Sequence, residues 1–137
     1  MVTSVIDWTP AMIFEKVKEI LVDGLGLEED EVKLDSRIPR DLGAQSIDFL
    51  DINFRLEKNF QTPLSRSQLF GTYSSDDALN SELTQEILEE MRRSFPLPEA
   101  LDDVKIDKQT VIGDLFTVRL LCQCVARVLE VSWEDPS

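Results

Sequence analysis

The sequence predicts an all-α fold, and three observations carry that reading. Apolar residues recur at helical spacing in four separate stretches. No stretch sustains the period-2 alternation of a half-buried strand, and the stretches are separated by clusters rich in glycine, proline and serine. With 137 residues the chain has the size of a single domain. A chain of this length buries roughly 65–70% of its extended surface, enough for a core without covalent staples.

The first helix opens at Thr9-Pro10, a capping hydroxyl followed by a proline whose missing N–H costs nothing in the first turn. Ile13, Val17, Ile20 and Leu21 then form one apolar stripe, and Gly24 and Gly26 end the helix. From Leu27 to Gln45 the pattern is irregular. Spaced apolar residues (Leu27, Val32, Leu34, Ile38, Leu42) predict a long loop pinned to the core, and loops of that length are usually functional. The acidic run Glu28-Glu29-Asp30-Glu31 lacks calcium-loop spacing and reads as solvated surface, so no metal site is expected.

The second helix spans Ser46 to Phe60, with Phe49, Ile52, Leu56 and Phe60 on one stripe and Leu50 and Phe54 on a neighbouring one. Pro63 and the stretch 65–77 break the pattern, with Leu69-Phe70 as a local anchor. Ser81 is expected to cap a third helix running to Phe95, whose apolar face is Leu83, Ile87, Leu88, Met91 and Phe95. That face packs on its own bundle or forms a movable cover, and Leu97, Leu101 and Val104 can extend the contact. Thr110 opens the last helix, apolar almost all round from Val111 to Leu129, as the buried spine of a bundle. In a helix Cys122 and Cys124 point about 200° apart, so they read as buried, reduced thiols rather than a disulfide or a metal site.

Charge narrows the function. Fourteen Lys and Arg face 27 Asp and Glu, a net charge of −13 that disfavours nucleic acid and anionic membrane surfaces and suits partners with basic patches. With no histidine, imidazole acid–base catalysis and Ser-His triads are excluded. No run approaches 18 apolar residues, and the N-terminus lacks the basic and apolar regions of a signal peptide, so a cytoplasmic protein without membrane insertion is expected.

The segment Asp41-Leu42-Gly43-Ala44-Gln45-Ser46-Ile47-Asp48 carries the chemistry. A serine directly before an amphipathic helix is most often an N-cap. The same position suits a phosphate diester, held by free backbone N–H groups and the positive end of the helix dipole. Spacing leaves both readings open.

The stretch from Ile13 to Phe60, with its Gly26 turn, its Asp41-Leu42-Gly43-Ala44 run, Ser46 and the ending Leu56-Glu57-Lys58-Asn59-Phe60, resembles the acyl carrier protein family. The helix after Thr110 resembles that family's fourth helix more loosely. The resemblance implies a four-helix carrier bundle in which Ser46 receives 4′-phosphopantetheine from coenzyme A through a phosphopantetheinyl transferase. The chain would then carry acyl groups as thioesters and perform no catalysis itself. It also implies docking of acyl-loading, elongating or acyltransferase enzymes through basic patches. The positions concerned are Asp41, the acids Asp48, Asp51 and Glu57, and the apolar Ile47 and Phe54.

Two departures accompany the resemblance. Gln45-Ser46-Ile47 stands where the family usually has Asp-Ser-Leu. Between Phe60 and Thr110 lie 49 residues where it has a short loop and a one-turn helix. The expected organisation is therefore one domain over 1–137, with carrier helices in about 10–62 and 108–131 and an insertion over about 63–107. A monomer is expected. The competing function is an unmodified carrier-like scaffold or interaction subunit.

Overall fold

A computed structural model of the chain describes residues 7–62, 75–94, 101 and 104–136. Helix α1 covers Pro10–Leu25, with the Thr9 hydroxyl accepting from Met12 N at 3.2 Å. It ends at Gly26, whose φ of 69° lies in the left-handed region that glycine enters without strain. Gly24 lies inside the helix instead of ending it. Helix α2 covers Ser46–Phe60, the span the apolar stripe predicts, and buries Phe49, Ile52, Leu56 and Phe60. At one end of the α1–α2 pair the Trp8 and Phe60 rings meet, with centroids 4.6 Å apart.

The segment between α1 and α2 is pinned as expected. Val32, Ile38 and Leu42 are buried, and a single 3-10 turn forms at Glu29–Glu31. Backbone bonds stitch it to the segment entering the last helix: Ile38 N donates to Phe116 O at 2.8 Å, Val118 N to Ser36 O at 2.9 Å, and Arg119 N to Leu34 O at 2.9 Å. A loop that must cross the core surface thereby satisfies its backbone without a sheet.

Beyond Phe60 the structure differs from the sequence reading in three places. A short helix α3, Asp76–Leu79, begins in a stretch expected to be a break, and Leu79 is buried. Helix α4, Gln85–Ser94, starts later than Ser81. Thr84 Oγ1 accepts from Ile87 N at 3.2 Å, whereas the Ser81 hydroxyl donates to Asp77 O at 2.6 Å and closes the end of α3. Leu83, Leu88 and Met91 are buried, Ile87 is half-buried, and Leu101 and Val104 join the same core, which favours the packed extension over the cover. At roughly 1.5–3 kcal/mol for each large side chain, that burial is a substantial tie. The expected contributions of Leu69, Phe70, Phe95 and Leu97 fall outside the described residues.

The last helix, α5, covers Val118–Val128, capped by Thr117, whose Oγ1 accepts from Leu120 N at 3.1 Å. Thr110 does not open it. Its hydroxyl closes a turn with Asp107, and a separate 3-10 turn follows at Ile112–Leu115. Replacing Thr117 by Ala is expected to cost about 0.5–2 kcal/mol in urea unfolding, and Thr110→Ala clearly less. The buried face of α5 includes Val118, Leu120, Leu121 and Val125, with α1 packed against both α2 and α5. Cys122 and Cys124 are buried thiols outside any disulfide, and burial pushes the Cys122 thiol well up, so it stays protonated.

At the surface, Arg119 bridges Asp35 and Asp135, tying the loop to the segment after α5. The hydrogen bond from Arg119 holds Asp135 below the ordinary aspartate range, and the bond from Arg37 does the same for Asp41. A depressed folded value contributes stability above the unfolded value of about 3.9 and loses it as the pH falls through the folded one. Asp135→Asn is therefore expected to lower the thermal midpoint slightly at pH 7, with the difference shrinking as the pH falls through the folded value. Exposed pairs of this kind are worth about 1 kcal/mol at most. Among the described residues no helix is long and apolar enough to cross a membrane.

Candidate functional site

Helix α2 begins under two carboxylates. Gln45 is the cap residue, and its N–H donates to Asp48 Oδ2 at 2.8 Å; the Ser46 N–H donates to Asp76 Oδ1 at 2.9 Å. Ser46 is therefore the first residue of the helix rather than its cap, a correction to the commonest reading of a serine in this position. The amides expected to be free for a phosphate are already engaged at positions 45 and 46. Both acids also offset the positive end of the helix dipole.

Ser46 itself is half-buried, and among the described residues its hydroxyl enters no hydrogen bond. Its neighbour Gln45 and its hydrogen-bond partner Asp76 border a recess of about 480 Å³, walled also by Pro39 and Arg40 of the loop, by Leu79 of α3, and by Val111, Gly113 and Asp114 of the turn before α5. An uncommitted hydroxyl on the first turn of a rigid helix, with open space alongside, can carry a covalently attached group.

Sequence-predicted docking residues sit on two supports. Ile47 is 69% exposed and Phe54 63%, and Leu50, 50% exposed, joins them at i+3 and i+7 on α2. Three large apolar side chains are thus left wet on one helix face, the kind of patch that recurs at interaction surfaces. Leu50 was legible as a neighbour of Phe54 in the apolar pattern but not as an exposed one.

Asp51 is exposed and pairs with Arg55 at 2.8 Å. Asp48 is half-buried by its capping bond, and Glu57 is half-buried lower on the helix. Asp41 lies on the loop, where Arg37 donates to it from the backbone N at 2.8 Å and from Nε and Nη2 at 3.0 Å. Its carboxylate holds the loop in shape, so it is not a free docking charge. Asp76 escaped the sequence reading, because nothing local in the sequence places it against a helix 30 residues earlier.

The family model described as a phosphopantetheine attachment site matches residues 15–79, from α1 to the end of α3. The acyl carrier protein of Petrotoga mobilis is 38% identical over 68 residues, half of this chain and 80% of that protein. That of Clostridium acetobutylicum is 36% identical over 69 residues, covering 50% of this chain and 90% of its own length. The chain belongs to the acyl carrier protein family. It is thus an acyl carrier whose prosthetic group is covalently attached 4′-phosphopantetheine. Family membership brings with it a phosphopantetheinyl transferase and biosynthetic enzymes as partners. The residues at the start of α2 fit the group: the carrier offers a half-buried, unengaged hydroxyl and adjoining space. Residues 1–14 and 80–137 lie outside the family match.

Proposed function

We propose that Ser46 is the attachment residue and that this chain acts as a non-catalytic shuttle in lipid or secondary-metabolite synthesis. The uncommitted Ser46 hydroxyl, at the start of α2 and beside open space, carries that reading. In the loading step the Ser46 oxygen forms a bond to the pantetheine-side phosphorus of coenzyme A. Its proton is lost and adenosine 3′,5′-bisphosphate departs. The attached arm supplies a thiol that holds the cargo as a thioester. This chain's part is to present that oxygen on a rigid helix and to display a docking face. Incubation with coenzyme A and a transferase, followed by intact-mass and peptide mapping, tests it. One added phosphopantetheinyl group on the peptide containing Ser46 is expected. No gain, or a gain elsewhere, rejects the assignment and favours the unmodified scaffold.

In this reading the chain is one domain with a carrier portion in about 10–62 and 108–131 and an insertion over about 63–107, working as a cytoplasmic monomer. Its docking face is the apolar triplet Ile47, Leu50 and Phe54, flanked by Asp48, Asp51 and Glu57. Basic patches on acyl-loading, elongating or acyltransferase enzymes complement those acids. Phe54→Ala is expected to leave the thermal midpoint nearly unchanged, because the ring is already in water, yet to weaken loading about tenfold if the ring fills a partner pocket. Asp51→Lys should slow loading at low salt, with the difference shrinking as salt rises. Asp48→Lys is a poorer test, since it also removes the bond to Gln45 N.

A further inference from the structure

Two arginines sit on the loop that leads to Ser46, where a partner with a basic patch has to approach. Arg37 is answered within the loop by Asp41, which accepts three hydrogen bonds from it. Arg40, whose side chain is 43% exposed, borders the same recess as Gln45 and is answered from outside the loop. Its Nε lies 3.0 Å from Asp114 Oδ1, and its Nη2 donates to Gln109 O at 3.4 Å. Arg37 Nη1 stands 3.9 Å from the same Asp114 oxygen.

Asp114 belongs to the 3-10 turn Ile112–Leu115, outside the family match, and its side chain is only 11% exposed. Oδ2 accepts from Val111 N at 3.1 Å. Oδ1 is buried and, among the described residues, accepts no hydrogen bond, so the two guanidinium groups are what compensate it. A carboxylate desolvated in this way is costly unless a cation stays beside it, which draws Arg40 back toward the turn. The formal charges of Arg37, Arg40, Asp41 and Asp114 then cancel. Asp107 also feels the Arg40 charge, but its carboxylate is taken up by Gln109 N and the Thr110 hydroxyl. Asp48 and Asp76, on Gln45 N and Ser46 N, are the acids nearest the candidate attachment point.

We propose that Asp114 is a positioning residue for loading: by pairing with Arg40 it keeps that cation from repelling the basic patch of a transferase arriving at Ser46. The inference rests on Ser46 being the attachment residue and on docking through basic patches. With Asp114 neutral, the four-residue cluster carries one net positive charge beside Gln45. A unit charge about 4 Å away through water changes an equilibrium constant about fivefold. Charges at the rim of an interface act mainly on association and on its salt dependence. Asp114 thus acts on how well the carrier is bound, through Arg40, and never touches the reacting oxygen. A residue outside the family match thereby sets the charge that a partner meets at the head of α2.

The test follows initial rates of intact-mass gain with coenzyme A and a phosphopantetheinyl transferase whose carrier-binding face is basic, as carrier concentration and salt are varied. Asp114→Asn removes the charge and keeps an oxygen for Val111 N. It is expected to raise KM about fivefold at low ionic strength with kcat unchanged. The ratio to wild type should fall toward one as the Debye length shortens from about 10 Å at 0.1 M salt to about 3 Å at 1 M. Adding Arg40→Gln should return KM to the wild-type value or below, a rescue that damage to the turn would not allow. An unchanged KM, a fall in kcat, or a defect that persists at high salt or in the double variant would overturn the proposal and leave Ser46 standing. Absence of mass gain on the wild-type chain, or a gain away from Ser46, rejects the attachment reading and this inference with it. If Asp114→Asn fails to fold, Arg40→Gln alone decides: a KM below the wild-type value at low salt supports the proposal, and an equal or higher one overturns it.

Discussion

Ser46→Ala is expected to abolish the phosphopantetheinyl mass gain completely while moving the thermal midpoint by about 2 °C or less. A capping serine replaced by alanine costs about 0.5–2 kcal/mol. Ser46, however, is the first helical residue, and the backbone N–H groups of Gln45 and Ser46 donate the capping bonds at this end to Asp48 and Asp76. Alanine keeps both N–H groups and has the higher helix propensity, so the change should stay near the ±0.5 kcal/mol of an ordinary surface substitution. For a chain of this size that is about 2 °C. Circular dichroism melts and intact mass on the same preparation separate the two effects. A variant that still gains the group places the attachment elsewhere. One that loses several kcal/mol assigns the hydroxyl a structural role that its hydrogen bonding does not reveal.

Helices α1 and α2 were legible because each has a clean apolar stripe and a local stop signal: Thr9-Pro10 and Gly26 for the first, the break after Phe60 for the second. The pinned loop was legible for a related reason, since isolated apolar residues such as Ile38 in a polar segment have to be buried somewhere. The caps were harder. Ser46 is a better intrinsic cap than Gln45, but Phe49, Ile52 and Leu56 set the helix phase by their burial, and Asp48 reaching back to Gln45 N makes the earlier start satisfactory.

The start of α5 failed for the opposite reason. The apolar run from Val111 is continuous, and Thr110 and Thr117 are equally good caps on sequence alone. The choice falls on Thr117 because the preceding residues take a 3-10 turn and the backbone at 116–119 bonds to the loop at 34–38. The bond from Ser46 N to Asp76 Oδ1 is a long-range pairing that no local pattern encodes. At the candidate site, Ile47 and Phe54, which the family resemblance singles out, are exposed, whereas Asp41 is held by Arg37.

Phe49→Ala is expected to be among the most damaging single substitutions in the carrier, at about 3–5 kcal/mol in urea unfolding, or roughly 10–18 °C in thermal midpoint. Phe49 is fully buried one turn below Ser46, and its ring meets Phe116 edge-on, with centroids 6.3 Å apart. Phe116 is buried too, and its carbonyl accepts from Ile38 N at 2.8 Å, so one side-chain contact joins the first turn of α2, the loop before it and the segment entering α5. Removing the ring opens a cavity that three separate elements have to close, and the rigidity of close-packed interiors limits how far they can. The matched control is Phe54→Ala, five residues on and on the opposite side of the helix, where 63% of the residue is already exposed. Equal losses in the two variants would contradict the division of α2 into a core face that sets the position of Ser46 and a wet face reserved for partners. A large loss at Phe49 with slower mass gain even below its melting transition, and a small one at Phe54 with impaired loading, would show that one helix performs both tasks through opposite sides.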